Sequence, residues 1–148
     1  MFERIVVGVD GSETSDRAVR MACDLANKYN SAIYLVHTPQ PQSVAFALGA
    51  MSGYHAVTTM PDPAAVAKAA TVILDRARKV AADCGRQIAA TRSDRGDPAA
   101  QIIACAADVG ADLIVTGRRG LGSMGALVQG STSQQIGHLA NCATLSVH

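Results

Sequence analysis

The chain has 148 residues, of which 49% are hydrophobic and only 3% aromatic, and its formal net charge is +1 at neutral pH. That length predicts one domain over residues 1–148, large enough to hide roughly two-thirds of its unfolded surface without disulfides or a structural metal. The near-zero charge and the scarcity of aromatic rings exclude a general electrostatic hold on nucleic acid or an anionic membrane, and a base-stacking surface.

Short aliphatic runs alternate with helical patterns, as in parallel βαβ units. The first strand is expected over Arg4–Val9. Its apolar run IVVGV is too short for a signal-peptide core or a membrane span, so a cytoplasmic location is expected. Thr14 or Ser15 is read as the N-cap of a helix that turns Ala18, Ala22, Leu25, Ala26 and Tyr29 inward. A second strand follows at Ala32–His37. Residues 38–63 then break the alternation. They hold four of the five prolines and few charges, and read as a long loop, either an insertion without regular structure or a lid over a ligand.

The clearest helical pattern runs from about Ala64 to Cys84, with Val66, Ala70, Ile73, Leu74, Ala77, Val80 and Cys84 on its buried face and Gly85 as its stop. A third strand is placed at about Gln87–Arg92. Asp97-Pro98 opens the next helix, which turns Ile102, Ile103 and Ala106 inward and stops at Gly110. The fourth strand is Asp112–Thr116. A short last helix beginning near Ser131 is expected to bury Ile136 and Leu139, and a fifth strand at Thr144–Val147 completes the series. Cysteines stand at 23, 84, 105 and 142 without C-x-x-C pairing. That spacing fits neither a zinc site nor a disulfide framework, and all four are expected to be reduced core thiols.

After the fourth strand comes GRRGLGSMGALVQGSTS, residues 117–133, which holds five of the thirteen glycines. Glycine concentrates where backbone takes positive φ or where a ligand touches backbone N–H groups. The stretch runs into Ser131-Thr132-Ser133 at a helix start, where free N–H groups, hydroxyls and the positive helix end converge on a place suited to phosphate. Two patterns overlap here. Gly120-x-Gly122-x-x-Gly125 spells a dinucleotide fingerprint, but it follows the fourth strand, not the first, and no helix opens at it. A P-loop is absent from the sequence. The second pattern is Gly117-x2-Gly120-x9-Gly130-Ser131.

That second pattern, together with the start IVVGVDGSETSDRAV and the segment ADLIVTGRRGLGSMGALVQGSTSQQIGHLANCATLSV, resembles the ATP-binding members of the universal stress protein family over essentially the whole chain. The resemblance implies an α/β fold, an open doubly wound five-stranded parallel sheet of order 3-2-1-4-5 with helices on both faces. Strands 1 and 4 would then lie side by side where the winding reverses, with the ligand in the crevice beyond their C-terminal ends. It implies ATP as ligand, with Mg2+ bound mainly through its phosphates. Gly117, Gly120 and Gly130 would let backbone approach ribose and phosphates, and Ser131 with the N–H groups of Thr132 and Ser133 would hold the phosphates. Arg119 would pair with phosphate, Asp10, Gly11 and Ser12 would approach base or ribose, and Thr38 would offer its backbone to the adenine edge. Taken alone, Asp10 reads as the cap of the turn or helix after a strand, and beside the glycine loop it reads as a ligand residue. The resemblance also implies a homodimer through the C-terminal strand, although this strand reads CATLSVH where the family is usually proline-containing.

No complete catalytic set accompanies the loop. His37, His55, His138 and His148 are scattered, and His37 at a strand end reads as a packing residue or polar cap. Neither a nucleophile elbow, nor H-E-x-x-H, nor H-x-G-H, nor S-G-G-x-D-S occurs. The leading expectation is therefore a nucleotide-dependent regulatory module for the stress response, with at most weak ATPase activity and no assigned catalytic or metal-binding residue. A slow ATP-hydrolysing or phosphoryl- or adenylyl-transferring enzyme, and a nucleotide-free dimerisation module, are the alternatives.

Overall fold

A computed structural model describes residues 1–49, 59–118 and 130–148. In chain order its elements are β1 (Arg4–Gly8), α1 (Glu13–Tyr29), β2 (Ala32–His37), α2 (Pro41–Ala47), α3 (Pro63–Asp83), β3 (Ala90–Ser93), α4 (Pro98–Val109), β4 (Leu113–Gly117), α5 (Ser131–Leu139) and β5 (Ala143–Val147). The strands form one five-stranded sheet of order β3-β2-β1-β4-β5, and every neighbouring pair is parallel. The α/β class and the 3-2-1-4-5 order expected from the sequence are therefore those of the molecule.

Alternation along each central strand builds two cores. Ile5, Val7 and Val9 of the β1 segment, Ile33 and Leu35 of β2 and Val115 of β4 face α1 and α3. Val6, Val36 and Ile114, on the opposite sides of the same strands, meet Ala99, Ile102 and Ala106 of α4 and Ile136 of α5. Ile5, Val6 and Val7 are all fully buried, each worth about 1.5–3 kcal/mol relative to exposure. Ala18, Ala22 and Ala26 recur at every fourth position on α1 with no exposed surface, so this helix lies close on the sheet. Arg76 of α3 ties the two helices of that layer together, its Nη2 reaching Asp16 Oδ2 at 2.6 Å.

Several boundaries differ from the sequence reading, for local reasons. α1 is capped by Ser12, neither by Thr14 nor by Ser15: Ser12 Oγ accepts from Ser15 N at 3.2 Å. β1 ends at Gly8, although Val9 N still donates to Val36 O at 2.9 Å. β3 is the short edge segment Ala90–Ser93. β4 starts one residue late because the Asp112 carboxylate takes the amides of Glu3 and Arg4, at 2.7 and 3.0 Å. Those two amides hold its carboxyl below the usual carboxylate range.

The segment 38–63 contains a helix that the sequence reading left out. Pro41 opens α2 at its first turn and Ser43 Oγ accepts from Gln40 N at 3.0 Å. Val44 of α2 packs with Val66 and Ala69 of α3 in a small core of its own. Leu139 is the clearest miss, since it is 61% exposed and only Ser133 and Ile136 of α5 are buried. The four cysteines are free thiols, as expected, but Cys84 and Cys142 are half-buried and not core residues.

Candidate functional site

The C-terminal ends of β2, β1 and β4 lie side by side at one edge of the sheet. Continuing the β1–β4 register, in which Val7 pairs with Val115, sets Val9 beside Gly117. At the β1 end the chain turns sharply. Gly11 has φ +85°, and a Cβ there would meet Ile73 Cγ1 at 3.2 Å, so both backbone and space call for glycine. Asp10 Oδ1 accepts from Ser12 N at 2.9 Å, an Asx turn that feeds directly into the helix. Ser12 is the cap of that helix, and its hydroxyl also lies 3.0 Å from Thr14 Oγ1.

Gly117 ends β4 against the first turn of α1. A Cβ on it would stand 3.1 Å from both the carbonyl carbon and the Cβ of Thr14. Glycine therefore lets α1 close on the end of β4. The next residue spans two elements: Arg118 N donates to Val147 O at 2.6 Å, and Arg118 O accepts from Gly130 N at 2.8 Å. That last bond fixes the start of α5 beside the end of β4. The Arg118 guanidinium meets His148 Nε2 at the same edge.

The start of α5 differs in chemistry from the starts of α1, α3 and α4. Those helices begin on Ser12, Asp62 and Asp97, and each side chain accepts from the amide three residues on. α5 begins on Gly130, which has no side chain to cap it. Ser133 Oγ donates back to Gly130 O at 2.9 Å, which uses the hydroxyl and leaves the first-turn amides to other acceptors. Ser131 is exposed and Thr132 half-buried. N–H groups in a first helical turn have no intrahelical partner and carry the positive end of the helix dipole.

At the end of β2 two polar side chains are buried. His37 has no exposed surface, and its Nδ1 donates to Val9 O at 2.9 Å. Because a carbonyl only accepts, this bond places the ring proton on Nδ1 and leaves Nε2 as a bare acceptor, which has no hydrogen-bond partner among the described residues. Burial pushes the imidazole below its usual value, while the Val9 bond and the charge of Asp10 act against that shift. His37 is thus neutral near pH 7. Thr38, next along, is 7% exposed, and its Oγ1 is also buried without a partner among the described residues.

The fold thus gathers Asp10, Gly11, Ser12 and Gly117 around the start of α1, and Gly117, Gly130, Ser131, Thr132 and Ser133 through the Arg118 bridge. Thr38 stands one strand over, beyond β2. Arg119 and Gly120 lie outside the described residues, as do Gly122 and Gly125 of the overlapping dinucleotide pattern. Thr14 was not legible as part of this constellation, because its contact with Gly117 joins residues far apart in sequence. Among the described residues no cluster of three or more His, Cys, Asp or Glu side chains is placed to hold a metal ion, and no helix is long and apolar enough to cross a membrane.

The family model described as "Universal stress protein family" matches residues 1–148. A universal stress protein of Thermus aquaticus is 33% identical over 151 residues, covering 99% of each chain. Among solved structures, a universal stress protein in complex with cAMP superposes with a TM-score of 0.71 at 24% identity, over 99% of this chain and 97% of the other. One from Archaeoglobus fulgidus in complex with dAMP gives 0.68 at 21% identity, over 99% and 98%.

Proposed function

The chain belongs to the universal stress protein family, and from that premise we propose that it is an ATP-binding regulatory module holding the nucleotide in the crevice between the ends of β1 and β4. The observation that carries this reading is the start of α5. It is a nine-residue helix that opens on Gly130 without a side-chain cap, bonded to the residue that follows β4. Anions bind at such ends because first-turn amides and the helix dipole both favour negative charge. Two structural neighbours are complexes with adenine nucleotides, cAMP and dAMP, which supports adenine as the base class.

In this reading Ser131 and the amides of Thr132 and Ser133 receive the phosphates, and Gly117 and Gly130 keep backbone within reach of ribose and phosphate. Gly120 and Arg119 of the same loop add backbone and charge. Asp10, Gly11 and Ser12 line the base or ribose side, and Thr38 lies toward the adenine edge. Mg2+ is carried mainly by the phosphates. ATP then acts as a signal that is held, not as a substrate turned over. His37, the imidazole at the strand ends, is buried, neutral and bonded to backbone, so it is poorly placed to exchange protons with a ligand in solvent. Homodimerisation through β5 belongs to the same proposal.

Two measurements test it. Nucleotide released from the purified, denatured protein is identified by mass spectrometry, with an adenine nucleotide expected. Thermal and urea denaturation with ATP and Mg2+ should show stabilisation of about 2.7 kcal/mol at a hundred times the dissociation constant. No released nucleotide and no shift at millimolar ATP would overturn the reading in favour of a nucleotide-free module. Sustained phosphate release faster than about one per second, near the low end of ordinary enzymes, would replace it with an enzyme.

A further inference from the structure

Away from the strand-end site, α1 and α3 bring two thiols together. Cys23, in the second half of α1, has no exposed surface and belongs to the same core cluster as Val80 and Ala81 of α3. Cys84 is the C-cap of α3 and packs half-buried against that cluster. Asn27 stands one helical turn beyond Cys23, and its Nδ2 donates to the Cys84 carbonyl oxygen at 3.4 Å. The end of α3 therefore lies over the turn of α1 that carries Cys23, and the Cys84 side chain packs against the cluster to which Cys23 belongs. Burial first, and the neighbouring Cys84 second, push the Cys23 thiol up to about 12, with the Arg86 charge acting the other way. Cys105 belongs to the opposite core, and Cys142 packs half-buried against it.

We propose that Cys84 and Cys23 form an oxidisable pair, with Cys84 as the thiol that meets a hydroperoxide and Cys23 as the thiol that resolves it. Exposure sets the roles, since a peroxide in solvent reaches Cys84 and not Cys23. The Cys84 thiolate attacks one peroxide oxygen and the O–O bond breaks. This gives a sulfenic acid on Cys84 and releases the other oxygen, protonated, as an alcohol or water. Cys23 Sγ then attacks the sulfenic sulfur and the S–O bond breaks. The Cys23 proton leaves with the hydroxyl as water, and a Cys23–Cys84 disulfide remains. The two thiols lose two electrons and the peroxide gains them. Helix ends are the parts of a fold that move most cheaply, and Gly85 directly after Cys84, at φ +74° with open space around it, lets the cap adjust as the bond forms. Cys23 lies 11 residues beyond Ser12, or roughly 16 Å along the helix at 1.5 Å per residue. The bridge therefore forms away from the nucleotide crevice, and this inference stands whether or not ATP binds there.

The test treats the full chain with a slight excess of hydrogen peroxide, alkylates remaining thiols in denaturant and maps the peptides. A Cys23–Cys84 cross-linked peptide, lost on reduction, is expected in most molecules, with Cys105 and Cys142 recovered alkylated. In Cys23→Ala, Cys84 should accumulate as a sulfenic acid that reacts with dimedone. In Cys84→Ser, Cys23 should be recovered as a thiol at doses that bridge the unmodified chain. The proposal is overturned if Cys84 passes to the sulfinic acid without a bridge in the unmodified chain, or if Cys142 is oxidised first. Should either variant fail to fold by circular dichroism, the peptide map of the unmodified chain decides alone.

Discussion

Replacing Ser131 with glutamate sets two effects of one charge against each other. Ser131 is the first residue of α5, it is exposed, and the first turn of this helix holds no acidic residue. A carboxylate there faces the positive end of the helix dipole and should stabilise the nucleotide-free protein by about 0.3–1 kcal/mol. The same carboxylate occupies the place proposed for phosphate. Two like charges about 4 Å apart repel by roughly 1 kcal/mol in bulk water and about 4 kcal/mol at the effective dielectric of a protein surface. ATP affinity should then fall by roughly fivefold to several-hundredfold. Ser131→Ala is the control: it keeps every amide and removes one hydroxyl, costing about 0.5–1.5 kcal/mol of binding. Urea denaturation without nucleotide reads the first effect, and titration calorimetry with ATP and Mg2+ reads the second. A glutamate variant that binds ATP as tightly as the parent chain would refute the placement of phosphate at α5, whatever it does to stability.

Three further outcomes follow from particular contacts. The unfolded value of His37 is 6.5 and its folded value is lower, so below about pH 6.5 the unfolded chain binds more protons and stability falls as pH drops, by up to about 1.4 kcal/mol per unit. Urea midpoints between pH 8 and pH 5 should show this slope in the parent chain and lose it in His37→Gln; an unchanged slope removes His37 as its source. Gly11→Ala should cost at least about 1–2 kcal/mol in the same assay, because an L-residue at φ +85° is strained and its Cβ meets Ile73. Leu139→Gln should change stability by no more than about 0.5 kcal/mol, since the side chain is 61% exposed; a loss near 2 kcal/mol would return Leu139 to the core.

The elements that read correctly from sequence are those in which local chemistry and burial agree. β2 is apolar toward both helical layers and matches its expected span of Ala32–His37, while Asp97-Pro98 supplies a cap and a first-turn proline where α4 begins. α2 was missed because Pro41 reads as a breaker in isolation, yet proline at a first helical turn starts a helix when a residue such as Ser43 takes the preceding amide. Leu139 was misplaced because helical spacing puts it near the face of Ile136, and only the structure shows the helix ending there with Ala140 extended.

The site divides along the same line. Glycine spacing points to the strand-end crevice, but it does not say which polar atoms the protein itself consumes. Asp10 accepts an amide of its own turn, Ser12 caps α1, and Ser133 returns its hydroxyl to Gly130. Asp10, Ser12 and Ser133 thus help to build the crevice, and their substitution should lower stability along with affinity. Ser131, exposed at an uncapped helix start, is the position where affinity should change while the fold is kept. That separation, invisible in a run of Ser-Thr-Ser, makes Ser131 the discriminating residue for the nucleotide reading.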